Sequence, residues 1–256
     1  KAARIKCANN LKQVGLGFRV FANDNDDRFP YRVPLTTYTA APMTSYFTAA
    51  VNPTISSGAA VSGPTAGGQP WTHFMAMSNE LGSAKILMCP GDRNKLNNIK
   101  SDFTTGAAGY NRPNGAGANS GNSYPTYNTA VAPAPNQPQG KDNATSFNVV
   151  LQADETQPNV MLSADRNYLT ANAAVAAAQN PIAPGAWTTA MNPTTGIASW
   201  VVGTGTSGAG AQHDTAGNYA LSDGSVQQVT SSGLQTQLRQ ASSGLGGVVH
   251  IAAYPR

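Results

Sequence analysis

From Ala2 to Ala22 the apolar residues recur at helical intervals. Cys7, Leu11, Val14, Phe18 and Phe21 are separated by four, three, four and three positions, which lays them on one helix face. Lys6, Lys12, Gln13 and Arg19 fall mostly off that face. Gly15 and Gly17 each cost about 1 kcal/mol relative to alanine in a helix, so they point to close approach of another element or to simple tolerance. The run "NDNDDRFP" ends the helix, because Asn and Asp favour turns and Pro30 blocks continuation.

Residues 34–70 carry little pattern and are rich in Pro, Thr, Ala and Gly. Ser78 to Leu81 reads as a short helix, and "KILMCP" as an extended buried run ended by Pro90. Residues 104–145 form a second Gly, Asn and Pro stretch in which neither a helix nor a long strand fits. From Ser146 the pattern turns to strands: "FNVVLQAD" (147–154), "NVMLSAD" (159–165), "IASWVV" (197–202) and "GGVVHIAAY" (246–254), with a short helix at "GLQTQLRQ" (233–240). "NYALSDGSVQQV" (218–229) alternates on both sides of Asp223-Gly224, a strong hairpin signal because both turn residues tolerate positive φ. Tyr219 and Leu221 then share one face, as do Val226 and Gln228. Helix, long loops, then strands make an α+β arrangement.

Composition narrows the class. Charged residues are 11% of the chain, against roughly 25% in an average globular protein, while Gly numbers 26 and Pro 17. Such a loop-rich, weakly charged chain fits an exported protein better than a cytosolic enzyme. The net charge is +4, with Lys1, Arg4, Lys6, Lys12 and Arg19 near the start. No aromatic-basic interleaving follows, so nucleic acid is not a partner on this reading; the basic segment fits a membrane-proximal or solvated helix face. No run of about 18 apolar residues is present. Two cysteines, Cys7 and Cys89, fit one disulfide in an oxidising compartment, or two separate buried thiols.

Candidate chemistry is sparse. His213, Asp223 and many serines occur, but without a G-x-S-x-G nucleophile elbow a Ser-His-Asp hydrolase is disfavoured. His73, His213 and His250 are isolated in sequence, unlike zinc ligands, so no metal is assigned. Asp24, Asp26 and Asp27 offer oxygens for calcium but lack the Gly and distal Glu of an EF-hand loop; turn formation is the stronger reading, and calcium stays open. Asp154, Glu155 and Asp165 lie at expected strand ends, where turns and caps explain them more simply than convergence or acid/base work. "GTGTSGAG" (203–210) leads into a hairpin rather than a helix, so a phosphate loop is rejected. No catalytic residue and no cofactor are assigned.

Four stretches carry a resemblance: "RIKCANNLKQVGLGFRVFANDNDDRFP" (4–30), "MSNELGSAKILMCPGD" (77–92), "ADETQPNVMLSADRN" (153–167) and "GNYALSDGSVQQVTSS" (217–232). His213 and Asp223-Gly224 add the spacing H-x9-D-G. Together, in this order, they resemble the prepilin-type processing-associated H-x9-D-G family, pilin-like and pseudopilin-like proteins of the type II secretion and type IV pilus class, of planctomycete and verrucomicrobial type. Residues 52–69 and 104–140 look like insertions. The resemblance implies a type IV pilin-like fold in one globular domain. Residues 1–30 would be the C-terminal half of a longer helix and its turn, 31–145 an extended αβ-loop region, and 146–256 an antiparallel sheet region containing the hairpin. It implies a non-enzymatic structural subunit, anchored in the inner membrane by a hydrophobic helix preceding this segment. Its globular part would be periplasmic or extracellular. Its partners would be other pilin-like subunits and their assembly machinery. It also implies a Cys7–Cys89 disulfide, since Cys7 lies on the inward helix face and Cys89 ends the apolar run. The alternative is a surface-exposed adhesin or glycan-binding module, with Tyr38, Tyr46, Tyr110, Tyr124, Tyr127, Trp71, Trp187 and Trp200 as a polysaccharide surface. His213 is expected to hold a loop by hydrogen bonding, and Asp223 to serve its turn.

Overall fold

A computed structural model of the chain describes residues 2–33, 70–92, 95–104, 109–110, 140, 144–151, 153–171, 197–200, 212–213, 215–244 and 252–253. Helix α1 (Ala2–Asn23) matches the sequence expectation to within a residue. It buries Cys7, Leu11, Val14, Phe18 and Phe21, the face that the spacing selects. Gly17 marks a close approach: a Cβ there would stand 2.6 Å from Leu81 Cδ2. Beyond α1 the chain reverses through Asp26 and Asp27, both in the left-handed region at φ 54° and 57°. Short polar side chains tolerate that region better than most, so these aspartates serve the turn.

Two short helices follow, α2 (Pro70–Ala76) and α3 (Ser78–Leu81), the second where it was expected. The expected extended run "KILMCP" is corrected. Ala84–Leu87 is a 3-10 turn, started by the Ser83 hydroxyl accepting from Lys85 N–H at 3.4 Å, and the chain extends only at Met88. A four-residue apolar run is buried equally well in either form, and no strand among the described residues pairs with it. A second 3-10 turn spans Leu96–Asn98.

The strands are β1 (Val149–Val150), β2 (Met161–Ala164), β3 (Tyr168–Ala171), β4 (Ile197–Trp200), β5 (Ala216–Leu221), β6 (Val226–Thr230) and β7 (Ala252–Ala253), with α4 (Ser231–Gly244) between the last two. β2, β5 and β6 form an antiparallel sheet in that order; β1 pairs with β7 and β3 with β4, also antiparallel. The expected strand 147–154 shrinks to β1 and a single bridge from Phe147 to Asp165. One reason is local: Asn148 Oδ1 takes the Ala164 N–H at 2.7 Å, so a side chain replaces one ladder bond, while Asn148 N–H still bonds Ala164 C=O at 2.9 Å.

Both faces of the central sheet are covered. Ala220 packs in one apolar cluster with Leu11, Val14, Phe18 and Leu162. Tyr219 and Leu221 pack in the other with Met161, Trp200, Leu234 and Leu238 of α4. The alternation along β5 therefore separates two buried layers rather than core from solvent. The hairpin turn also differs in detail. Gly224 alone has positive φ, at 85°. Gly224 N–H bonds Leu221 C=O, and Leu221 N–H bonds Ser225 C=O, both at 2.9 Å, giving a three-residue loop with Gly in the left-handed position. The expected insertion 52–69 and most of the expected insertion 104–140, the Gly-rich run 203–210 and His250 lie outside the described residues, as does the closing strand apart from β7.

Candidate functional site

Cys7, inward on α1, is disulfide-bonded to Cys89 with Cα atoms 4.9 Å apart. Both cysteines are fully buried. Pro90-Gly91 turns the chain directly after Cys89, and Gly91 N–H points back at Cys89 Sγ from 3.3 Å. His213 reaches the same sulfur, with Nε2 3.3 Å from Sγ. Its side chain is only 5% exposed, and Nε2 also faces Asp165 Oδ2 at 3.7 Å. Gly91 makes room for the ring: a Cβ there would lie 2.6 Å from His213 Cε1 and 2.5 Å from the Gln212 carbonyl oxygen. The sulfurs of Cys7 and Cys89 and a ring nitrogen of His213 lie within 4.8 Å of one another, a set that could ligate a metal only with the disulfide reduced.

A buried ionic group adjoins this cluster. Arg166 donates to Asp92 twice, Nε to Oδ2 at 2.7 Å and Nη2 to Oδ1 at 2.8 Å. Ser146 Oγ and Gln212 Nε2 donate to the same carboxylate at 2.9 and 3.2 Å. Burial pushes the Asp92 carboxyl up, but the Arg166 hydrogen bonds and charge, the Lys95 charge and the Ser146 hydroxyl outweigh it and hold it below the usual carboxylate range. Asp165 behaves oppositely. Asn218 donates to its Oδ2 from N–H at 2.7 Å and from Nδ2 at 2.9 Å. Oδ1 is buried and has no hydrogen-bond partner among the described residues. Burial dominates over the Asn218 bonds, the Asp92 charge adds to it, and the carboxyl is pushed up to about 7.

Asp223 and Gly224 sit elsewhere, at the turn closing β5. Asp223 Oδ1 accepts from Ser225 N–H at 2.8 Å, and its carbonyl accepts from Arg19 Nη1 at 2.8 Å. His213 and Asp223-Gly224 thus bracket β5, separated by about 20 Å of strand. Each holds a different part of α1: His213 touches the disulfide that fixes Cys7, and Asp223 fixes Arg19. Arg4 Nη2 adds bonds to the Gly217 and Val229 carbonyls at 3.3 and 3.4 Å, and Asn10 Nδ2 one to Met88 at 2.9 Å. Asp223 Oδ1 thus braces its own turn and His213 lies against the disulfide, so both bear on the seating of one helix.

The remaining candidates disperse. Asp154 Oδ1 accepts from Thr156 N–H and Oγ1, a local turn, while Glu155 pairs with Arg19 at 3.5 Å. Neither converges on buried Asp165. Trp71, Trp200 and Tyr110, offered as glycan-facing aromatics, are buried at 6%, 4% and 0% exposure, which removes them from any surface. Tyr38, Tyr46, Tyr124, Tyr127 and Trp187 lie outside the described residues. Asp92, Arg166, Gln212, Ser146 and Asn218 escaped the sequence reading. The one signal for them was an Asp-Arg pair inside the otherwise apolar context "VMLSADRNYL" of a weakly charged chain.

Comparison with protein-family models, with curated proteins and with solved structures finds no match. Among the described residues no helix is long and apolar enough to cross a membrane.

Proposed function

We propose that this chain is a non-enzymatic structural subunit of a pilin-like or pseudopilin-like filament of the cell envelope, with the domain described here on the periplasmic or exterior side. The observation that carries the reading is the outer face of α1. Ile5, Leu16 and Val20 are 56%, 61% and 39% exposed on a helix whose opposite face is buried in the core. At 100° per residue these three lie within about 60° of one another, with exposed Asn9 and Lys12 between Ile5 and the adjacent pair Leu16 and Val20. The pair one turn apart gains by being covered by another subunit. The rigid seating of α1 by the disulfide, Arg4, Asn10 and Arg19 suits a helix that transmits subunit contacts.

The reading is tested in cells with the full-length protein. Leu16→Asp and Val20→Asp should abolish its recovery in sheared filament fractions while thermal unfolding of the isolated domain stays unchanged. Recovery at the native level in both variants sinks the proposal, as would a gene with no stretch of about 20 apolar residues encoded upstream of Lys1.

A further inference from the structure

Cys89 Sγ is surrounded as a thiolate would be. Gly91 N–H and His213 Nε2 both approach it at 3.3 Å. A disulfide sulfur accepts hydrogen bonds weakly, whereas a thiolate draws strong, charge-assisted ones. The second sulfur, of Cys7, lies in the same cluster, all three ligand atoms within 4.8 Å. Asp165 Oδ2 stands 3.7 Å from the same ring nitrogen. Four ligands at about 2.0–2.3 Å from a tetrahedral zinc stand roughly 3.3–3.8 Å from one another. The Nε2–Sγ separation already meets that spacing. The two sulfurs must part, by side-chain rotation.

We propose that, once the Cys7–Cys89 bond is reduced, Cys7, Cys89 and His213 bind a zinc-class divalent cation, with water as the fourth donor. A dithiol reductant supplies two electrons and two protons, becoming its own disulfide as the protein gains two thiols. The cation then displaces both thiol protons to solvent and is held by two thiolates and a neutral imidazole. The N–H of Gly91 supports the Cys89 thiolate from outside the metal sphere. The metal would thus tie α1 to the Cys89 turn whenever the disulfide does not. This inference stands independently of the filament reading.

The test uses the full chain, reduced with a phosphine under anaerobic conditions and titrated with Co(II) as the probe. The expected result is one Co(II) per chain, with sulfur-to-cobalt charge transfer and tetrahedral d–d bands, displaced by Zn(II). The oxidised protein should show none of these bands. Metal should raise the thermal midpoint of the reduced chain, as a ligand of the folded state does. Cys7→Ser should cut the charge-transfer intensity by half or more, and His213→Gln and His213→Ala should weaken binding at least tenfold. The oxidised histidine variants serve as the folding control, because their disulfide keeps α1 in place. Absence of thiolate–cobalt bands in the reduced protein overturns the proposal. So does unchanged affinity in a folded histidine variant, or a thermal midpoint lowered by metal, which would place binding on the unfolded chain.

Discussion

Opening the Cys7–Cys89 bond tests the central claim about how α1 is held. The bridged residues are 82 positions apart. Chain entropy for a loop of that size gives a stabilisation of roughly 4.5 kcal/mol, acting by restricting the unfolded chain. For a chain of this length each kcal/mol moves the thermal midpoint by about 2–4 °C, so the oxidised protein should melt roughly 9–18 °C above the reduced one. The assay is denaturant and thermal unfolding of oxidised wild type, of reduced wild type with a chelator present, and of Cys7→Ala/Cys89→Ala. Reduction leaves both sulfurs in the core, whereas the alanine pair removes them, so the two comparisons separate tether from packing. The dependence on denaturant should steepen slightly without the bond, because the unfolded chain opens further. If reduced wild type lies within about 1 kcal/mol of oxidised, the entropic account is refuted and side-chain packing alone seats the helix.

Asp92→Asn leaves the Arg166 guanidinium buried without its carboxylate, and should cost about 3–5 kcal/mol in urea unfolding. Because the Asp92 carboxyl is held low, its contribution is complete above the unfolded value near 4 and fades as pH falls through its lower folded value; acid titration of unfolding should show this loss in wild type only. Asp165 has the opposite sign. Its folded value near 7 means the native state keeps a proton that the unfolded chain has released, so stability declines from about pH 4 to 7 and then levels, by up to about 4 kcal/mol. Asp165→Asn should flatten that decline, and an unaltered slope would count against it. Gly217→Ala places a Cβ 2.5 Å from the Trp200 ring, so it should destabilise by about 1–3 kcal/mol and shift the tryptophan fluorescence; an unchanged spectrum and midpoint would contradict the packing.

Elements with their own local signal were legible in the sequence. The spacing from Cys7 to Phe21 located α1 and its inward face, and Asp223-Gly224 located the β5–β6 turn. Ala84–Leu87 was not legible, because a short apolar run does not declare its period. Neither was the fate of 147–154, where the Asn148 side chain takes one bond from the ladder. The site around His213 was least accessible of all. Cys89, Asp165 and His213 come from three separate segments, and Asp92 meets Arg166 across 74 positions. Such contacts depend on the chain path, so spacing rules for metal or catalytic motifs had nothing to detect. Low charge content was the one usable hint, since an Asp-Arg pair among apolar residues is suited to the interior only when paired.

The Cys7–Cys89 bond also determines how the molecule carries load. A pull applied at Lys1 runs a few residues along α1 and then crosses the sulfurs to the turn at Gly91-Asp92. Residues 8–88 lie off that covalent path, long unpatterned stretch included. Under tension the chain is therefore shorter by that loop, and α1 beyond Cys7 is shielded from being drawn out of the core. Force instead arrives at Asp92, where a buried guanidinium fork joins the turn to the segment following β2. In single-molecule extension, reduction should lengthen the contour by roughly 3.3–3.6 Å for each residue of the released loop.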